Sequence, residues 1–189
     1  MGAQASYEAN QDPSNVNLMG QNLSELPFIP LMETEAKHLY LSQNKIVSLP
    51  ENLDEVLSID LSKNKMGPSL PVNIAKALTT YKSLRTLVFA CNQLKDLTNI
   101  FKNDKIETFN LSANQFTKFP EHFTENYPKV KTLIFSCNFL KVFSNFHSEI
   151  ISSLIGKPND FLILLFIHGS VEIFIGKLPS FIAGIITKS

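Results

Sequence analysis

Histidine, cysteine and asparagine are the residues of this chain that could do specific chemistry, and their spacing separates them. His38, His122, His147 and His168 stand far apart without metal-ligand spacing, and neither Cys91 nor Cys137 has a histidine in a matching position to activate it. The seven glycines are scattered singly, so no phosphate-cradling loop is present. Asparagine is different. Asn44, Asn64, Asn92, Asn114 and Asn138 each close the same apolar motif, and an amide both donates and accepts hydrogen bonds. The chemistry open to these five is the satisfaction of backbone groups where a turn is driven into an apolar interior.

The motif that must position them is clearest from Ile106 to Phe119, with Phe109, Leu111, Asn114 and Phe116 between. Alternation at Phe109 and Leu111 has the period of a short strand with one buried face. The spacing recurs with Ala36, Leu39, Leu41, Asn44 and Ile46; with Val56, Ile59, Leu61, Asn64 and Met66; with Leu84, Leu87, Phe89, Asn92 and Leu94; and with Val130, Leu133, Phe135, Asn138 and Leu140. A degenerate copy before them has Gln21 at the turn, and another after them, containing Phe161, Leu164 and Phe166, has Gly169. Steps between turn positions are 23, 20, 28, 22, 24 and 31 residues. A unit of this size cannot bury its own apolar row, so units must stack and share one internal column.

The spacing resembles the leucine-rich-repeat superfamily from about residue 13 onward. That resemblance implies an α/β solenoid: a curved horseshoe of about seven repeats, with a parallel concave sheet and mixed helix and turn on the convex side. Residues 1–14 read as a flexible lead-in, 15–143 as repeats 1 to 6, and 144–189 as a degenerate seventh repeat with an uncapped tail. The five asparagines are expected to form a structural ladder. Leu26-Pro27, Leu49-Pro50 and Phe119-Pro120 are similar to the repeat closures of the intracellular Ras-suppressor and Ras-scaffold class.

Segment length decides what lies behind the strands. After Asn64 the gap is long, and Ile74, Ala77, Leu78 and Tyr81 fall at helical spacing, which predicts a helix over 71–81 with Ser69 as its cap. Single helical turns are expected at 99–103 and 121–126, and Phe101, Phe116, Phe119, Phe123 and Phe143 are expected to stack behind the apolar column. In the tail, Ile163, Leu165 and Ile167 are as apolar as the residues alternating with them. A strand apolar on both faces expects cover on both, so this segment reads as part of a truncated product.

Composition narrows the function. With 17 basic and 17 acidic residues the chain has no nucleic-acid footprint. The two cysteines occupy the same place in repeats two steps apart, roughly 10 Å at a strand spacing of about 4.8 Å, too far for a disulfide. Free thiols and the lack of an apolar leader predict a cytoplasmic protein, expected to be monomeric, at the inner face of a membrane if it is acylated. Acylation is suggested by MGAQAS, which matches the N-myristoylation acceptor pattern at Gly2.

The residues that alternate with the buried ones should line the concave face. Among them His38, Tyr40, Asp60, Val88, Asn110 and Ile134 are the expected partner-binding residues, with Tyr40 as the best anchor because aromatics dominate interface energetics. The face is small, hydroxyl-rich and nearly uncharged, which suits an extended protein segment from a signalling partner. No catalytic residue, metal or cofactor is expected. The alternatives are the recognition part of a larger signalling enzyme, in the manner of leucine-rich-repeat metal-dependent protein phosphatases, kinases and adenylyl cyclases, and a regulatory subunit of a protein phosphatase. Protein made together with an N-myristoyltransferase should carry the acyl mass on Gly2; an intact-mass spectrum showing only unmodified chain refutes the lipid assignment.

Overall fold

The computed structural model describes residues 12–26, 35–51, 53–98, 101–139, 162–167 and 171–175. Gly2, Phe143, His147, His168 and most of the 144–189 tail lie outside them. Six three-residue strands follow one another in sheet order: β1 (Asn15–Asn17), β2 (His38–Tyr40), β3 (Ser58–Asp60), β4 (Thr86–Val88), β5 (Thr108–Asn110) and β6 (Thr132–Ile134). Each pairs parallel with the next, and the register brings Val16, Leu39, Ile59, Leu87, Phe109 and Leu133 into one line. That line is the inward column, every member of it buried. The arrangement is an α/β repeat solenoid.

The coil is held at its turns by the asparagines. The Asn64 side-chain oxygen accepts from Ile46 N–H at 2.9 Å, and its amide nitrogen donates to the carbonyls of Leu41 and Leu61 at 3.0 Å each. Asn44, Asn92, Asn114 and Asn138 repeat this pattern, each binding its own turn and the one before it. Because the bonds run backward, the first coil needs no such residue. Gln21 is exposed there and bonds only locally, to the Met19 carbonyl.

Hydrogen bonding between coils continues past the strands. Gln43, Lys63, Cys91 and Ala113 each donate their N–H to the next coil while their φ is between 52° and 60°. This left-handed conformation swings the following asparagine inward, and the donated bond offsets the cost for a residue with a Cβ. Gly20 takes the position without that cost.

Behind the strands, α1 (Val72–Thr80) buries Ile74, Ala75, Ala77 and Leu78. Ser69 does not cap it; the serine hydroxyl donates to Asp96 at 2.9 Å instead. Burial pushes the Asp96 carboxyl up, but bonds from Thr98 and Ser69 outweigh this and hold it below its usual range. Of the turn expected at 99–103, residues 101–103 are not helical, and 99 and 100 lie outside the described residues. Asn103 turns inward and donates to the carbonyls of Leu78 and Tyr81 at 2.9 and 3.1 Å, closing the end of α1. Those carbonyls would otherwise be left without a helical partner. The turn at 121–126 is the short helix α2 (Phe123–Asn126). Phe101, Phe116, Phe119 and Phe123 are buried, with Phe101, Phe109 and Phe123 gathered around Tyr127 at ring separations of 4.9 to 5.2 Å.

The two ends depart from expectation. Residues 12–14, read as loose, form a turn in which Asp12 accepts from Ser14 N–H, and the Ser14 carbonyl takes bonds from Lys37 and His38. These Ser14 bonds hold the Asp12 carboxyl below its ordinary range. At the other end, β7 (Leu162–Ile167) pairs parallel with β6 but sets Ile163, not Leu164, opposite Leu133. β8 (Val171–Ile175) pairs antiparallel with β7.

Three substitutions test the ladder and the core. Asn114→Leu leaves Leu94 N–H without its acceptor, while Asn92, Asn138 and the Cys91 N–H still serve the Phe89, Leu111 and Ser112 carbonyls it abandons. The expected cost in denaturant unfolding is about 1–3 kcal/mol, against less than about 0.5 for Gln21→Leu. The Tyr127 hydroxyl is buried without a hydrogen-bond partner among the described residues, and burial pushes it well above the ordinary tyrosine range. Tyr127→Phe removes that unmet group and should raise the unfolding midpoint; a fall would show that the hydroxyl is satisfied.

Candidate functional site

On the solvent face of the sheet the register forms two clear rows. One runs Asn15, His38, Ser58, Thr86, Thr108, Thr132; the other runs Asn17, Tyr40, Asp60, Val88, Asn110, Ile134. Five of the six expected partner-binding residues therefore fall in one continuous line, and His38 lies in the row beside it. Tyr40 is 39% exposed, the others half-buried.

These side chains are less available than their types suggest. His38 Nδ1 lies 2.8 Å from the Ser58 hydroxyl oxygen. Asp60 accepts from Ser62 N–H at 2.9 Å, Asn17 from Met19 N–H at 3.1 Å, and Asn110 from both the N–H and the hydroxyl of Ser112. Each is a side chain binding the backbone two residues on, which closes the strand as an Asx-turn. The polar members occupy alternate strands, and the strands between carry Tyr40, Val88 and Ile134. At a strand spacing of about 4.8 Å, apolar groups recur roughly every 10 Å along the row. This alternation was present in the sequence as every second member of the row. The self-bonding of Asp60 and Asn110 had no sequence signal beyond the serine two positions later.

Below the strands a line of charge crosses three coils: Arg85 lies 3.7 Å from Glu107, and Lys131 lies 2.6 Å from it. The Lys131 bond, then the charges of Lys131 and Arg85, hold the Glu107 carboxyl below its usual range. Exposed pairs of this kind are worth about 0–1 kcal/mol, so the rim orients the edge without holding the array together. The asparagine ladder is distinct from this surface, with Asn44, Asn64, Asn92 and Asn114 buried and Asn138 half-buried.

Among the described residues no cluster of His, Cys, Asp and Glu could hold a metal ion, and no helix is long and apolar enough to cross a membrane. Cys91 and Cys137 are free and exposed, each at the left-handed position before its asparagine. His122 is exposed, with Nδ1 3.1 Å from Glu125, away from the sheet face.

The strand order, buried column and asparagine ladder together make a repeat solenoid of parallel coils. No family model matches the chain. It is 27% identical over 156 residues to the adenylate cyclase of Schizosaccharomyces pombe, an alignment covering 75% of this chain and 9% of that protein. Among solved structures, human trophoblast glycoprotein is similar at 18% identity with a TM-score of 0.46, covering 80% of this chain and 76% of that one.

Proposed function

We propose that this chain is a protein-interaction module which presents the solvent face of its sheet to an extended segment of a signalling partner inside the cell. The observation that carries the reading is the single row from Asn17 to Ile134, in which apolar and polar side chains alternate strand by strand. A segment crossing the strands would set its own apolar groups on Tyr40, Val88 and Ile134. Its polar groups would meet the second carboxylate oxygen of Asp60 and the amide donors of Asn110, which the Asx-turns leave over. Tyr40 is the anchor, since an exposed aromatic loses little side-chain entropy on binding and keeps its hydroxyl wet. The neighbouring rows of serine and threonine add modest contacts over area. A myristoyl group on Gly2 would give the module a weak and reversible membrane tether.

A second reading is favoured by one observation, the 27% identity to a protein of which the matched segment is 9%. The chain would then be the recognition part of a larger signalling enzyme, with the same face engaging a regulator of that enzyme. Both readings use the same row, so one experiment addresses it. Affinity purification from cells should lose its specific partner with Tyr40→Ala and with Asp60→Ala, by about tenfold for the anchor. Folded variants that recover every partner unchanged refute the face as the binding surface.

A further inference from the structure

A second surface lies along the edge where the strands turn, away from the row just described. Gly20, Asn22 and Gln43 with Lys45, Lys63 and Lys65 line a shallow depression of about 330 Å³ across the first three coils. Lys63 and Lys65 flank Asn64 and both adopt the left-handed conformation, at φ 55° and 60°. Asn64 between them is buried and bonded to three coils, so both lysines leave one clamped turn, and both are exposed. Lys45 comes from the neighbouring turn, one strand spacing of about 4.8 Å away.

The lining of this depression carries three lysines and no carboxylate, although Lys37, Lys95, Lys102 and Lys129 likewise stand outside the ion pairs of the described residues. Lys76 is paired with Glu51, Lys82 with Asp54, Lys105 with Asp104 and Lys131 with Glu107, all at 2.6 to 2.8 Å. Lys45, Lys63 and Lys65 have no carboxylate within ion-pair distance among the described residues, in a chain whose formal charge is zero. Three like charges at the rim of one depression repel one another, and an anion seated among them removes that repulsion. Each ammonium brings several donors that can turn toward an oxyanion, and the Asn22 and Gln43 amides can add neutral ones.

We propose that this turn edge binds a phosphate-type oxyanion, with Lys45, Lys63 and Lys65 as its cationic ligands. The site is open to water, so binding is weak and falls with salt. A free phosphate and an inositol phospholipid headgroup share this chemistry. The proposal does not use the sheet face, and loss of either surface leaves the other standing.

The test is a nuclear magnetic resonance titration of the full chain with inorganic phosphate and with pyrophosphate, against chloride at matched ionic strength. Saturable shifts at the backbone amides of residues 43–45 and 63–65 are expected, tighter for pyrophosphate. The Lys63→Gln/Lys65→Gln variant should weaken them about tenfold, and Lys82→Gln should leave them intact. Shifts that chloride reproduces, or that survive unchanged in the double variant, overturn the site. Cosedimentation with phosphatidylinositol bisphosphate vesicles that pyrophosphate competes away assigns the headgroup as the source. Pyrophosphate binding without vesicle binding assigns the free anion, and the site stands in both cases.

Discussion

The structure depends on an amide that serves two turns at once. Each ladder asparagine binds carbonyls in its own coil and in the preceding one, and takes an N–H from that preceding coil as acceptor. Removing water from these backbone groups without replacement would cost about 1–3 kcal/mol apiece, more than an exposed ion pair returns. The hydrocarbon column supplies the larger total, at roughly 1.5–3 kcal/mol for each fully buried leucine or phenylalanine. That column is non-directional, however, and would tolerate many stackings. The amides set the register, because a coil displaced by one residue would meet a neighbour with no matching carbonyl.

The direction of the bonding explains why the two ends differ. The first coil has nothing before it to bind, so Gln21 can sit in water without loss. The sixth is bound backward through Asn138, whose side chain accepts from Phe116 and donates to Leu111. Beyond it β7 still pairs parallel with β6, and β8 pairs antiparallel with β7.

Much of this was legible in the residues. The period, the inward column, the five amides and the helix behind the third coil follow from spacing, because each is a property of the chain at short range. Three features were not. The left-handed residue before each asparagine is glutamine, lysine, cysteine or alanine, so no residue type marks it; the inter-coil bond it donates explains it. Asn103 reads as part of a helical turn, whereas its amide does more by closing α1 from a distant coil. Ser69 reads as a helix cap but reaches a carboxylate in the next coil, because Asp96 is there to accept. In each case a contact between coils outweighed a local preference, and such contacts have no short-range signature. For the candidate face, the row itself was legible from alternation, while its alignment across the six strands required the register.

The division between face and edge follows from the same constraint. A side chain in a strand's outer row has its backbone tied into the sheet, so its position repeats from coil to coil and suits a partner laid across many repeats. A residue beside the asparagine has its own backbone held in the left-handed region and its side chain directed away from the interior, where neither column nor ladder limits its identity. Lysine, cysteine and alanine are therefore tolerated equally by the fold at that position. Where the fold is indifferent, a concentration of one charge is not accounted for by folding. Lys63 and Lys65 stand on both sides of one clamped turn with Lys45 beside them, while the matching positions at Ala113 and Gln115 are uncharged. Stability thus leaves the edge unspecified, and the charge gathered there is what a recognition role would add.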